Sequence, residues 1–407
     1  MGSRGILGNR DFLLLWTGQA GSLVGFHGVR IAYPLVVLAV TGSPAAAGWA
    51  GFALSLPSLL LQIPAGVIAD RIDRMRILMV CQFVGMTATV LAAVAIATHT
   101  PGLVPVLVVT AFIEGSVCVF VGVTEVGVIR DMVPPAQRPA AFSLLEAEQP
   151  IAALAGRAAG ATIYGAARWL PFVVNAASYL YCLTALSLIR FRRPASPPPA
   201  EPADRSVGHG LRDGPRIVLG DPFLRASTAA IGASNIVIQV VLLLIVVALT
   251  TGGYPTWTVG VVLASAGVGG LFGAAAAARL VARSGPRLVY RGALWAWTAL
   301  LVPIALSTNP FVLAACWCGI GGVGIASNVA LTSYRVAVVP DHTLGRALAT
   351  MGFVCDGAVA IGALGAGYLL SAVGVVTTGW IALAAMFVLA VLASSANRTP
   401  AQMADQR

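Results

Sequence analysis

The chain has 407 residues, of which 58% are hydrophobic and only 10% are charged. A soluble protein carries about 25% charged residues, so this composition excludes a soluble globular protein and predicts an integral membrane protein. The net charge of +10 comes from 25 arginines and no lysine. These arginines are spread over short segments rather than gathered in one basic domain, which excludes a nucleic-acid-binding protein.

Apolar runs long enough to cross a bilayer recur along the whole chain. A spanning helix needs about 20 predominantly apolar residues, and twelve runs meet this requirement. They cover residues 12–40, 45–69, 77–97, 103–129, 140–165, 170–189, 223–250, 257–278, 288–307, 311–337, 346–370 and 375–396. The pattern predicts an all-α membrane protein with twelve transmembrane helices.

The longest polar interruption runs from Arg190 to Asp221 and separates the sixth run from the seventh. It is rich in proline and arginine and has no apolar periodicity, which is typical of a flexible linker. The predicted organisation is an N-terminal six-helix bundle (1–189), a cytoplasmic linker (190–222) and a C-terminal six-helix bundle with a short tail (223–407).

Short motifs recur in the two halves at a nearly constant offset. Asp11-Phe12 corresponds to Asp221-Pro-Phe223, and Val133-Pro134 corresponds to Val339-Pro340. Several matches in register indicate an internal duplication, which is how many secondary transporters are built. The fold class predicted is therefore two pseudo-symmetric six-helix bundles.

The arginine distribution predicts the orientation. With a cytoplasmic amino terminus, Arg168 lies in an outer loop, Arg30 and Arg157 lie within spans, and the other 22 of 25 lie on the cytoplasmic side. Positive residues collect on that side of a membrane. We therefore expect both termini in the cytoplasm of a bacterium and the chain in its plasma membrane.

A short charged turn joins the second and third runs. Its glycine is expected to let two helix backbones approach closely, and its arginines are expected at the lipid surface. We group with this turn one arginine at the end of the fourth run. The residues of the group are Gly66, Asp70, Arg71, Arg74, Arg76 and Arg130.

The motif Gly66-x-x-x-Asp70-Arg71-x-x-Arg74-x-Arg76 resembles the loop between helices 2 and 3 of the major facilitator superfamily. Asp73 stands where the general pattern often has glycine, and this variant is similar to enterobactin and macrolide exporters. Thr41-Gly42-Ser43 and Asn175-Ala-Ala-Ser178 extend the resemblance to the twelve-helix drug:proton antiporter branch. The resemblance implies alternating access between two states. It also implies that the charged turn and Arg130 act as a conformational switch, with Asp70 near Arg130.

Ionisable residues inside the spans need a structural or functional reason, because each costs about 2.5–3.5 kcal/mol on insertion scales. Arg30, Glu114 and Arg157 are expected at similar depth. They can form an ion-pair cluster that holds the N-terminal half together, or a substrate or proton site. Burial favours the protonated form of a carboxyl, and the residues proposed for proton coupling on this ground are Asp356, Glu114, Glu125 and Glu148, with Asp356 first.

If the resemblance holds, the first, fourth, seventh and tenth runs line a central cavity. Their polar, charged and aromatic residues, with one arginine of the fifth run, are the substrate-cavity candidates: Gln19, Phe26, His27, Arg30, Tyr33, Phe112, Arg157, Asn235, Gln239, Asn328 and Thr332. Few acids and many aromatic residues suit an amphipathic organic substrate. Glycines at 156–160 and 362–367 predict closely packed or bending helices in the fifth and eleventh runs.

The predicted function is proton-coupled efflux of a hydrophobic or amphipathic small molecule, such as a drug, antibiotic, secondary metabolite or siderophore. The expected partners are this substrate, protons and the lipid bilayer, with the chain as a monomer. No enzyme motif, cofactor motif or metal-ligand spacing is found, and all six cysteines lie in apolar runs. Two alternatives stay open: an importer or uniporter of a small metabolite, and a non-transporting membrane sensor.

Overall fold

The computed structural model describes residues 6–191, 215–339 and 341–395. This part of the chain is almost wholly helical and contains no β-strand. The all-α class predicted from the sequence is therefore confirmed.

Six long helices make up the N-terminal half, and their bounds follow the first six predicted runs within a few residues. They are α1 (Arg10–Thr41), α2 (Pro44–Arg71), α3 (Arg74–Ala97), α4 (Leu103–Met132), α5 (Arg138–Ala166) and α6 (Leu170–Ser187). Two short 3-10 turns, Ile6–Gly8 and Pro135–Gln137, precede α1 and α5.

The C-terminal half contains four single helices and one long last element that is divided in two. The single helices are α7 (Pro222–Thr251), α8 (Thr256–Ser284), α9 (Pro286–Leu306) and α10 (Pro310–Val338), and the last element is Asp341–Ser395. That element is broken at Gly374, whose φ of 74° and ψ of 179° are not helical. Because glycine reaches this region without a Cβ penalty, the break divides the element into α11 (341–373) and α12 (375–395).

Ten helices are long and apolar enough to cross a membrane, with Ala347–Ser395 counted once. Dividing that stretch at Gly374 adds an eleventh. The remaining helix is α5, whose apolar sequence is interrupted by Glu146, Glu148 and Arg157. The helix that the hydropathy criterion leaves out is therefore the one with three ionisable residues in its middle.

Side-chain caps fix several helix starts. Asn9 accepts a hydrogen bond from the backbone N–H of Phe12 (3.2 Å), and Asp221 accepts one from Leu224 (2.8 Å). Such caps satisfy N–H groups that have no partner within the helix. Asp73, where the sequence departs from the superfamily pattern, caps α3 in the same way.

The described residues form two compact units. One contains 6–191 and 253–264, and the other contains 215–252 and 265–395. In the first unit, α1 packs on α5 and α6, while α3 and α2 pack on α4. In the second, α7 packs on the last element and α9 on α10. The domain limits at 189 and 222 stay predictions, and most of the linker, 192–214, lies outside the described residues.

Glycines bring α1 and α5 into backbone contact. A Cβ placed on Gly160 would lie 2.5 Å from the Cα of Gly28, and one on Gly156 would lie 3.2 Å from the Gly28 nitrogen. In the second unit, a Cβ on Gly362 would lie 2.8 Å from the Cα of Ile236. The close packing predicted for the fifth and eleventh runs is thus confirmed at these positions.

Within the part of the chain that the structure describes, Gly66 does not make the close helix contact that we expected. A Cβ at this position would meet no described atom within 4 Å. The backbone approach between α2 and α4 occurs instead at Gly115, which packs directly on the carbonyl of Leu54. Gly66 lies near the end of α2, beyond that packed region, so its lack of a side chain is not needed for this contact.

Candidate functional site

A cavity of about 190 Å³ lies inside the first unit. It is lined by residues of α1, α4 and α5 and by one aromatic residue of α6. Its polar lining consists of Gln19, Ser22, Glu125, Glu146, Glu148 and Gln149, and its aromatic residues are Phe26 and Tyr179. Of the residues proposed from the sequence, Gln19, Phe26, Glu125 and Glu148 line this cavity.

Helical spacing explains why these residues meet. Gln19, Ser22 and Phe26 are three and four residues apart, so they share one face of α1. Cys118 and Glu125 are seven residues apart on α4, which also places them on one face. Both faces are turned to the cavity.

An amide network fixes the cavity face of α1. The Nε2 of Gln82 donates to the Oε1 of Gln19 at 2.8 Å, and the Ser22 hydroxyl donates to the Oε1 of Gln82 at 3.0 Å. Gln82 is fully buried on α3. Because a buried polar group is costly without a partner, these hydrogen bonds hold α1 and α3 in one register.

Two carboxyl groups face each other across the cavity wall. Glu125 on α4 is 6% exposed and Glu148 on α5 is 5% exposed. The two groups are close enough to repel each other when ionised. The Oε1 of Glu125 and the Oε2 of Glu148 have no hydrogen-bond partner among the described residues. The lining contains no arginine, lysine or histidine.

Glu114, also on α4, is fully buried and belongs to a second hydrogen-bond network. Its carboxyl accepts hydrogen bonds from Thr89, from Tyr179 (2.5 Å) and from Asn175 (3.2 Å). These donors are neutral and come from α3 and α6. In the described part of the chain Glu114 therefore has hydrogen bonds but no ion pair.

Three basic side chains gather between α1 and α5. His27 interacts electrostatically with both Arg30 and Arg157, and the two arginines interact with each other. The structure thus brings together Arg30 and Arg157, as expected, but with His27 rather than Glu114 as the direct third member. Cys118 interacts electrostatically with both Arg30 and Glu114.

The charged turn between α2 and α3 is organised by Arg74. Its guanidinium contacts Asp131 on α4 at 2.7 Å and Asp70 at 3.3 Å, and its Nε donates to the Ala69 carbonyl at 3.2 Å. The Asp70 side chain is 78% exposed. Arg74, and not Arg130, is therefore the partner of Asp70 in the structure, and Asp131 was missed by the sequence analysis.

The other predicted switch residues are peripheral. Their side chains are exposed at the ends of α2, α3 and α4: these are Arg71, Arg76 and Arg130. Nothing in the structure of the first unit links them to the cavity.

The remaining cavity candidates do not line this pocket. Tyr33 is fully buried, with its ring 4.9 Å from that of Phe172, and Phe112 is partly buried. The other candidates belong to the second unit: Asn235, Gln239, Asn328, Thr332 and Asp356. There Asn235 donates to the carbonyl of Cys355 (3.4 Å), and Asn328 and Thr332 are exposed.

Several residues of the site were not among the sequence-based candidates, and four of them are polar residues of α3 and α6. Gln82 and Thr89 lie seven residues apart on α3, and Asn175 and Tyr179 lie four apart on α6. Polar side chains at helical spacing inside an apolar run are a detectable signal. Within the described residues, no three His, Cys, Asp or Glu side chains are grouped closely enough to hold a metal ion.

Twelve helices in two units, with ionisable side chains buried inside a membrane-spanning bundle, are the architecture of a secondary membrane transporter. The sequence matches the family model of the Major Facilitator Superfamily over residues 15–362. The chain belongs to the Major Facilitator Superfamily, whose members are typically non-enzymatic transporters.

Solved structures with the same fold are distant in sequence. A point mutant of the nucleoside transporter NupG is 13% identical, with a TM-score of 0.76 over 96% of this chain and 100% of that one. A bacterial homologue of the iron transporter ferroportin, in its inward-facing state, is 16% identical, with a TM-score of 0.73 over 97% and 100%. A bacterial metal transporter is 15% identical, with a TM-score of 0.68 over 96% and 99%. No curated protein sequence matches the chain.

Proposed function

We propose that this protein is a proton-coupled exporter of a hydrophobic or amphipathic small molecule. The observation that carries the proposal is the pair of buried carboxyl groups, Glu125 and Glu148, on the wall of a cavity inside the first unit. In this proposal the chain acts as a monomer in the bacterial plasma membrane, with both termini in the cytoplasm. The arginine distribution supports this orientation.

The acid pair suits reversible proton binding. Desolvation disfavours the charged form of each carboxyl, and two like charges in one site disfavour ionising both. Glu125 and Glu148 are both buried and lie within repelling distance, and no cation lines the cavity with them. A proton held by the pair can leave when the cavity opens to the other side of the membrane.

The geometry favours this pair over the other proposed proton carriers. Glu114 has its carboxyl oxygens engaged by three donors, which hold it in a fixed structural setting. Asp356, ranked first from the sequence, belongs to the second unit, does not line this cavity and is less buried than the pair. Weaker desolvation disfavours its charged form less, so we place Asp356 after the pair.

The cavity lining supports an amphipathic organic substrate. Phe26 and Tyr179 offer aromatic surfaces, and Gln19, Ser22 and Gln149 offer hydrogen-bonding groups. Pockets for small organic molecules combine such apolar surface with a few placed polar groups. Drugs, antibiotics, secondary metabolites and siderophores share this chemistry.

The proposal is tested by accumulation of a compound panel in bacterial cells that lack their other efflux pumps. We expect cells expressing the protein to accumulate less of at least one amphipathic compound. An uncoupler should abolish the difference, because export then has no proton gradient to use.

Substitutions of the acid pair provide the site-specific test. Glu125→Gln and Glu148→Gln should each abolish gradient-dependent export. Glu146→Gln is the matched comparison: Glu146 also lines the cavity and lies two residues away on the same helix, but it is exposed, so this variant should keep gradient-dependent export. Export that survives the uncoupler, or full export by both pair variants, would contradict the proposal.

A further inference from the structure

The group of His27, Arg30 and Arg157 is not used by the proton-coupling proposal. These residues lie between α1 and α5, and we call them the basic cluster. Like charges repel strongly where water is scarce, so two guanidinium groups held together beside an imidazole inside a membrane are costly. Such a feature indicates a function when the structure also holds it in place.

Glycine packing holds the cluster together. Gly28 on α1 meets Gly156 and Gly160 on α5 at backbone distance. Arg30 follows Gly28 by two residues, and Arg157 directly follows Gly156. The two helices therefore cannot separate to relieve the repulsion without losing their closest contact.

Two members of the cluster have no compensating partner in the described chain. Arg157 makes no hydrogen bond or ion pair there. It interacts electrostatically with the basic residues His27 and Arg30. His27 is only 6% exposed, and neither of its ring nitrogens has a hydrogen-bond partner of normal geometry. Gln149 is the polar side chain within its reach. The cluster thus offers unused donors on a buried imidazole and a partly buried guanidinium.

The cluster adjoins the cavity. Phe26, which lines the cavity, has its ring centroid 5.9 Å from that of His27. Cys118 also lines the cavity and interacts electrostatically with Arg30. Arg30 follows Phe26 by four residues, or one helical turn, which places it on the cavity side of α1.

The α5 side of the cluster has the same relation to the cavity. Arg157 follows Glu146 by eleven residues, or about three turns, on the same face of α5. Nine residues, or about 13.5 Å of helix, separate Arg157 from Glu148. The basic cluster and the acid pair therefore lie at two different levels of one site.

We propose that the basic cluster is the binding subsite for an anionic group of the transported molecule, which makes the substrate class an amphipathic organic anion. Two guanidinium groups and an imidazole match the geometry of a carboxylate, sulfonate or phosphate, which accepts several charge-assisted hydrogen bonds. The apolar part of the anion lies in the cavity against Phe26 and Tyr179. This inference rests on the proposed function only in assigning the cavity to a transported molecule.

The test is equilibrium binding to purified wild-type protein in detergent at fixed pH, without any proton gradient. The probes are benzoate and 1-naphthoate, with the neutral 1-naphthalenemethanol and the cationic 1-naphthylmethylamine as matched compounds. We expect a carboxylate to bind more tightly than its neutral and cationic counterparts. Because no transport is measured, a failure of proton coupling leaves this result unchanged.

Variants locate the binding. Arg157→Gln should weaken carboxylate binding about ten- to a hundredfold, the usual consequence of losing a charge-assisted hydrogen bond. Arg157→Lys should restore part of it, since it keeps the charge but not the planar fork. Arg168→Gln, an exposed arginine just after α5, is the control and should bind as the wild type.

Three results would overturn the inference. One is that neither carboxylate binds the wild type. Another is that the amine binds more tightly than the carboxylates. The third is that a monodisperse Arg157→Gln protein binds the carboxylate with unchanged affinity. If Arg157→Gln does not fold, the comparison of Arg157→Lys with the wild type decides, and equal affinity counts against the subsite.

Discussion

The contact between α1 and α5 is expected to be sensitive to a single added methyl group at Gly160. In Gly160→Ala, the new Cβ would lie 2.5 Å from the Cα of Gly28 and 2.6 Å from its carbonyl oxygen. Ordinary contacts begin at 3.4 Å, so the helices must separate by about 0.9 Å. Both neighbouring atoms belong to the backbone, which cannot move aside as a side chain can.

The expected cost follows from this overlap. Overpacking a well-packed interior costs about 1–3 kcal/mol, while replacing glycine by alanine in a helix gains up to about 1 kcal/mol. The matched control is Gly165→Ala, on the same helix, where a Cβ meets nothing within 4 Å. The two variants should differ by about 2 kcal/mol, which corresponds to about 4–8 °C in melting temperature for a unit of this size.

Thermal unfolding of the purified variants in one detergent measures this difference. Gly160→Ala should melt below the wild type or at most equal it, and Gly165→Ala should melt at or above it. The separation should also weaken carboxylate binding, since it moves Arg157 away from His27. Equal melting temperatures for the two variants would refute the packing argument.

Two further predictions concern the charged turn and the topology. Arg74→Gln should lower the free energy of unfolding by about 1 kcal/mol, because the ion pair of Arg74 with Asp131 is partly buried. Asp70→Asn should leave the melting temperature unchanged, because Asp70 is exposed, but it should slow transport. Wild-type transport by Asp70→Asn would show that the turn has no switching role. In intact cells, an impermeant thiol reagent should label Thr308→Cys, in the outer loop, and not Leu219→Cys; the reverse pattern would contradict the orientation.

The helices could be predicted well because each carries its signal in a contiguous run. The run 12–40 became Arg10–Thr41, and the run 103–129 became Leu103–Met132. In lipid the backbone must satisfy its own hydrogen bonds, so an apolar run of spanning length has essentially one structure. The break at Gly374 agrees with the predicted gap between the last two runs.

The hydrogen-bond partners of individual side chains could not be predicted from the sequence in the same way. Glu114, Thr89 and Tyr179 are on three helices, and spacing along one helix does not give the rotation of its neighbours. Gly66 shows the same limit: its motif predicts close packing, but the contact is made where α2 is covered by α4, at Gly115.

The sequence predicted the membrane depth of charged residues better than it predicted their interaction partners. We expected Arg30 and Arg157 to be close because they have similar depth on α1 and α5. In the structure the two residues interact electrostatically. That Glu114 takes neutral donors instead depends on Asn175 and Tyr179 of α6 lying closer to it than either arginine does. Such a preference is decided by packing, which no single run contains.

The most direct test of the account compares two activities in proteoliposomes, using a compound exported in the cell assay. Counterflow exchanges the compound without net proton movement, whereas accumulation driven by an imposed pH gradient requires proton coupling. We predict that Glu125→Gln and Glu148→Gln lose gradient-driven accumulation and keep counterflow. Gradient-driven accumulation at the wild-type rate in both variants would contradict the assignment of the proton to this pair.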